Sequence, residues 1–192
     1  MRFFEIFSTG KRQKILEHVL LTEDPSKPLG VDDTARKLKL SKGLVSKYFE
    51  LLAGEGIMRK YNKFYLDQSN HLTRALRTLL SLSLLKIPEA VEDDVDLLEV
   101  LEGVGVYGSW AKGENVVGSD AADLELWMKV SKNPGDEAIN DAASRISENV
   151  PEGSGVSVIV LTPHKVRLMR EKNPEMHSRL KHESIVLWGK GI

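Results

Sequence analysis

Apolar positions in the first seventy residues recur at helical spacing three times. Gly10 to Leu21 carries Ile15, Val19 and Leu20 on one side and runs out into the polar loop Thr22 to Gly30. Val31 to Leu38 predicts a second, shorter helix, with Asp32 and Asp33 in the first turn, where the helix dipole favours acids. Ser41 can cap a third, running through Leu44, Val45, Tyr48, Leu51 and Leu52 to Gly54 and Gly56. The period then changes: Ile57-Met58-Arg59-Lys60 and Phe64-Tyr65-Leu66 read as two strands joined around Tyr61-Asn62-Lys63. From Asn70, a suitable N-cap, a longer helix is expected to reach Leu85. Leu72, Leu76, Leu79 and Leu80 keep helical spacing, and Leu82, Leu84 and Leu85 widen the apolar surface. A helix this apolar needs a partner on more than one side, either the elements before it or its own copy in a homodimer.

Lys86-Ile87-Pro88 breaks the pattern, and Pro88 suits the first turn of a new helix reaching Leu101. Residues 104–107 form an expected strand, followed by a small-residue turn. From Asp123 to Val130 the chain alternates, with Asp123, Glu125, Trp127 and Lys129 on one face and Leu124, Leu126, Met128 and Val130 on the other. A helix from Asp136 to Asn149, a strand at 156–161, helical segments broken near Asn173-Pro174 and a last strand from Ser184 to Trp188 complete the chain. The order predicts an α+β protein: three helices plus a β-hairpin (1–69), a linker or dimerisation helix (70–87), and a small mixed-sheet α/β domain (88–192).

Composition narrows the class. The 192 residues are 41% hydrophobic and 29% charged, with no apolar run near the ~20 residues of a membrane span. Absence of cysteine excludes disulfides, thiolate zinc sites and cysteine nucleophiles. Met1-Arg2-Phe3-Phe4-Glu5-Ile6-Phe7 is too short and too acidic for a signal peptide, so a cytoplasmic, non-membrane protein is expected. The net charge of -1 conceals an asymmetry. Residues 1–70 hold 13 Lys and Arg against 9 Asp and Glu, and residues 71–192 hold 14 against 19. A basic front half suits an anionic partner.

Three helices followed by a hairpin, with the run Ser41-Lys42-Gly43-Leu44-Val45-Ser46-Lys47 opening the third helix, resemble a winged helix-turn-helix domain over about residues 9–68. That resemblance implies DNA as a partner: the third helix enters the major groove and the wing meets the backbone. Lys42, Ser46 and Lys47 lie outside the apolar stripe of that helix. The lysines are placed for phosphates and Ser46 for a base edge. Arg59, Lys60 and Lys63 at the wing add salt-dependent phosphate contacts, while Tyr61 and Phe64 are expected to pack the wing. The bland alternative is a solvated face on a fold reused for protein contacts.

In the back half, Gly108-Ser109-Trp110-Ala111-Lys112-Gly113-Glu114 follows a strand and precedes Ser119-Asp120-Ala121-Ala122-Asp123-Leu124-Glu125-Leu126-Trp127. Together with the terminal Ile185-Val186-Leu187-Trp188-Gly189 strand, this resembles minimal nucleotidyltransferases of the DNA polymerase beta superfamily over about residues 88–191. The resemblance implies a nucleoside triphosphate held by Gly108, Ser109 and Gly113, with Lys112 as a point charge on phosphate. It further implies Mg²⁺ or Mn²⁺ held by Asp123 and Glu125, which are also the catalytic pair, and Asp120 as a nearby loop carboxylate. Asp123-Leu124-Glu125 supplies two carboxylates at i and i+2, whereas Asp120 has Ala122 in that position.

The third carboxylate of such sites falls at Ser157, a poor base and a weak ligand. Two functions therefore stay open. One is Mg²⁺-dependent transfer of a nucleoside monophosphate to an acceptor that the sequence does not specify. The other is a DNA-binding regulator whose back domain binds a nucleotide or a helical partner protein without turnover. The five histidines are scattered singly and read as surface residues, Trp127 as packing on a sheet face, and Asp93, Asp94 and Asp96 as a solvated acidic face.

Overall fold

The computed structural model of the chain describes residues 7–22, 24–114, 123–130, 135–150 and 155–192. They form two compact units, 1–80 and 81–192, each with its own core.

In the first unit, α1 (Gly10–Leu20) starts at Thr9, whose hydroxyl accepts from the Arg12 N–H, and it buries Ile15, Leu16, Val19 and Leu20. The second helix, α2 (Val31–Leu38), ends at Lys39 in the left-handed region, φ 53°. Ser41 caps α3 (Lys42–Gly54) through the Leu44 N–H and sends Val45, Tyr48, Phe49 and Leu52 inward. The hairpin is β1 (Met58–Lys60) against β2 (Phe64–Leu66), antiparallel with Arg59 opposite Tyr65. Ile57 lies just ahead of the strand, fully buried, and its carbonyl accepts from Asp67 N–H. Leu29, in the loop that polarity alone leaves unstructured, bridges to Phe64 and adds a third partner to the hairpin.

Asn70 caps α4 (His71–Ser83), accepting from the N–H groups of Leu72 and Thr73. The division between the units falls inside this helix. Its buried face differs from the leucine pattern: Thr73, Leu76 and Arg77 are inside, while Leu79 is 67% exposed. Arg77 decides the difference. Its guanidinium, 1% exposed, donates to the Leu20 carbonyl at 2.8 Å and satisfies the end of α1. Burial pulls its pKa down to about 10.

In the second unit the helix expected over 88–101 is two: α5 (Ile87–Glu92) and α6 (Val95–Val100). Asp94 interrupts it, its carboxylate accepting from the N–H groups of Asp96 and Leu97 as the cap of α6. Asp94 is therefore structural rather than merely solvated, while the Asp96 carboxylate is 78% exposed, as the solvated face expects. Arg145 reaches Asp94 at 2.5 Å, Asp141 at 2.8 Å and Asp96 at 3.6 Å, clamping α6 to α8 (Asp136–Glu148).

The remaining strands are β3 (Leu101–Val106), β4 (Leu124–Val130), β5 (Val156–Leu161) and β6 (Ile185–Gly189). They form one mixed sheet in the order β5-β4-β3-β6, in which only β4 and β5 run parallel. Two helices, α9 (Pro163–Lys172) and α10 (Pro174–His182), connect β5 to β6. One sheet face buries Leu124, Leu126, Met128 and Val130 with the side chains of α5, α6 and α8. The other face buries Trp127 with Leu161 and Leu180, the fate expected for that tryptophan. Among the described residues no helix is long and apolar enough to cross a membrane.

Candidate functional site

The second unit gathers its polar chemistry where β3 ends and β4 begins. After Val106 the chain turns at Tyr107, whose N–H donates to the Glu125 carbonyl at 3.0 Å, and enters the short helix α7 (Gly108–Ala111). Trp110, fully buried, anchors this turn in the core. Gly113 closes it, its N–H donating to the Trp110 carbonyl and its φ at 68°. Ser109 accepts the Glu114 N–H on its backbone carbonyl.

Two carboxylates sit at the N-terminal end of β4, and each rests against a glycine. At Gly108, φ 70°, an added Cβ would overlap the Glu125 carboxylate. An added Cβ at Gly155, one residue ahead of β5, would overlap the carboxylate of Asp123. The positive φ at Gly108 suits glycine on backbone grounds as well. Gly155 is open to any residue by backbone, so there it is the close approach of the Asp123 carboxylate that a side chain would displace. Both residues thus give up a side chain where an acid needs room.

Ser157 lies beside Glu125 in the parallel register and is exposed. The position where the resemblance places a third acid is therefore adjacent to Glu125 and filled by a hydroxyl. Among the described residues no three of His, Asp and Glu come together as a metal cluster. Lys112 is tied to Glu183 at 3.0 Å, and that hydrogen bond holds the Glu183 carboxyl below its usual range. Burial raises the Tyr107 phenol, with the nearby Glu125 charge adding to it and Arg179 opposing. Asp120 lies outside the described residues.

The sequence alone points to Gly108, Glu125, Asp123 and Lys112 but not to Gly155, Tyr107, Arg179 or Glu183. A glycine directly ahead of the strand that neighbours the acids was the one available signal for Gly155. Nothing in the sequence ties Glu183 to Lys112, because the pairing spans 71 residues and depends on the return of the chain through α10.

On the first unit, the cations expected at DNA are divided. Lys42 pairs with Asp32 at 2.7 Å, and Arg59 pairs with Asp67 at 2.7 Å while also donating to Ser69. Lys60 pairs with Glu50 at 2.5 Å and stands 5.5 Å from the Phe64 ring centroid. Lys47 and Lys63 are exposed, and Ser46 is half-buried. Phe64 packs edge-on to Phe49 at 5.2 Å, as expected. Tyr61 is not buried in the hairpin: it is 71% exposed, edge-on to Tyr65 and beside the Arg59 side chain, because the turn carries it past the end of both strands.

Fold and site together define an α+β chain of two units: three helices and a hairpin, then a four-stranded mixed sheet with paired acids at one strand end. No family model matches the chain, and no curated protein matches it. Among solved structures, it is similar to a 1.40 Å crystal structure from Sulfolobus solfataricus, provisionally assigned as a nucleotidyltransferase. The similarity covers 66% of this chain and 97% of that one, at 20% identity and a TM-score of 0.38.

Proposed function

We propose that the second unit binds a Mg²⁺–nucleoside triphosphate and that the first is a winged helix binding DNA, so that the protein is a nucleotide-responsive DNA-binding regulator. The observation that carries the first half is the pair of glycines cleared for Asp123 and Glu125 beside a glycine-serine turn. Mg²⁺ is commonly held by one or two carboxylates together with substrate phosphates. Two acids at a strand end, next to a turn with N–H groups, fit that requirement. Asp123 and Glu125 would hold the ion, which would neutralise charge between the phosphates. The backbone of Gly108 to Gly113 and the Ser109 side chain would receive the phosphate oxygens. Lys112 would exchange Glu183 for phosphate at little cost, since an exposed pair is screened by solvent and worth little.

A second reading, transfer of the nucleoside monophosphate to an acceptor, is favoured by the same two acids in their strand-end geometry. Ser157 weighs against it. A hydroxyl beside Glu125 cannot take up the acceptor's proton near neutral pH as a carboxylate can, so binding without turnover is the better-supported role. For the first unit, α3 supplies Lys42, Ser46 and Lys47, and the hairpin supplies Arg59, Lys60 and Lys63, to the major groove and flanking phosphates.

Calorimetric titration of Mg²⁺ with each of the four nucleoside triphosphates tests the site. Metal-dependent binding is expected, weakened roughly tenfold to a hundredfold by Glu125→Ala or Asp123→Ala, the ~1.5–3 kcal/mol of an interaction with a charged group. Binding that needs no metal, or that survives both substitutions, would overturn the assignment.

A further inference from the structure

We infer that the phosphate backbone of duplex DNA is held chiefly in a groove between the start of α1 and the α2–α3 turn, with the hairpin contributing less; the inference rests on the DNA-binding reading above. The groove, of about 1090 Å³, is lined by Lys11, Arg12, Lys14 and Lys39, with Thr9 and the α3 cap Ser41 among its polar walls, and among the described residues no acid lines it. The adjoining cavity on α1 is different: its lining mixes Glu17 and Asp24 with Lys14, Lys27 and Lys37.

Three observations converge on this groove. The first is the distribution of ion pairs. Arg59 and Lys60 of the hairpin and Lys42 of α3 each face an acid of their own unit, whereas Lys11, Lys14 and Lys39 stand together, and among the described residues none of them is in an ion pair; Lys47 and Lys63 are likewise unpaired but stand singly. Cations grouped without an acid among them present an undiminished positive potential to a polyanion. The second is Lys39 itself. It ends α2 at φ 53°, the one non-glycine residue with positive φ among those described. Glycine or asparagine is the usual residue at such a helix end. A lysine held in a conformation that glycine adopts freely points to a use for its charge. The third is continuity. Ser41 and Leu44 belong to the groove wall and to the first turn of α3, so a strand lying in the groove passes the end of the helix assigned to the major groove. Lys11 and Lys14, three apart on α1, project from the same side of that helix.

The experiment is fluorescence anisotropy of a labelled 25-base-pair mixed-sequence duplex with the full chain, between 25 and 200 mM salt. Thermal melting is followed in parallel. Removing one lysine–phosphate interaction is expected to reduce the slope of log K against log salt by about 0.9. Lys11→Ala/Lys14→Ala/Lys39→Gly should flatten that slope by close to three such steps, and Lys60→Ala by less than one. Lys39→Gly alone should weaken binding several-fold while raising the melting temperature, opposite signs that a structural role for the lysine would not produce. Wild-type binding with an unchanged slope in the triple variant would overturn this inference and leave the DNA-binding reading standing. Wild type that binds no duplex at 25 mM salt would overturn both.

Discussion

Asp67 shows how one carboxylate organises the hairpin. It accepts from the Arg59 guanidinium and from both the hydroxyl and the N–H of Ser69. Burial alone would raise its pKa, but the hydrogen bonds from Arg59 and Ser69 outweigh it, and the net shift is downward from 3.8. A carboxyl with a lower pKa folded than unfolded stabilises the fold above its unfolded value and loses that contribution as pH falls through its folded one. Urea unfolding of wild type and Asp67→Asn at pH 7 and pH 3 checks this. The two proteins should differ at pH 7 and converge toward pH 3. A gap of constant size at both pH values would show that the carboxylate charge is not what matters. The same residue scale explains why the engagement of Arg59 within its own unit is not visible in the sequence. Its partners Asp67 and Ser69 are eight and ten residues on, brought back by the antiparallel register.

At the scale of elements, the junction of β3, α7 and β4 separates two kinds of glycine. Gly108 is required by its φ of 70° as well as by Glu125, whereas Gly155 is required only by Asp123. Gly108→Ala should therefore lose about 1–2 kcal/mol of stability from the left-handed backbone and also lose nucleotide binding. Gly155→Ala should displace the Asp123 carboxylate, which can rotate away, and so reduce nucleotide binding with a smaller stability change. Chemical denaturation and triphosphate titration on both variants separate the two effects. Equal loss of stability would contradict the distinction. The strand pattern of β4 was legible in full, since Leu124, Leu126, Met128 and Val130 are all buried on one face as alternation requires. The single helix expected over 88–101 was not, because the break comes from one side-chain cap, and Asp94 in a run of acids looks like its neighbours until Arg145 is placed beside it.

At the scale of the whole molecule, the two cores are built from separate stretches of chain, Ile15 to Leu76 in one and Leu85 to Ile146 in the other. Calorimetric unfolding of the full chain is expected to show two transitions. Mg²⁺–triphosphate should raise only the one belonging to residues 81–192. Saturation at 100 times Kd corresponds to about 2.7 kcal/mol of added stability. Duplex DNA should raise only the other. One cooperative transition moved by both ligands would show that the units unfold together.

By itself the sequence determined most of the element order, the helix caps at Ser41 and Asn70, the alternation of β4 and the candidate acids Asp123 and Glu125. These depend on period and on neighbours within a few residues, so they are written locally. Tertiary structure decided the rest. It placed Gly155 under Asp123 and Ser157 beside Glu125, tied Lys112 to Glu183, buried Arg77 against the end of α1, and paired Arg59 and Lys60 of the hairpin with acids of their own unit. Each of these contacts joins residues far apart in the chain or across strands, where spacing carries no information and only the packed geometry brings charges and backbone within reach.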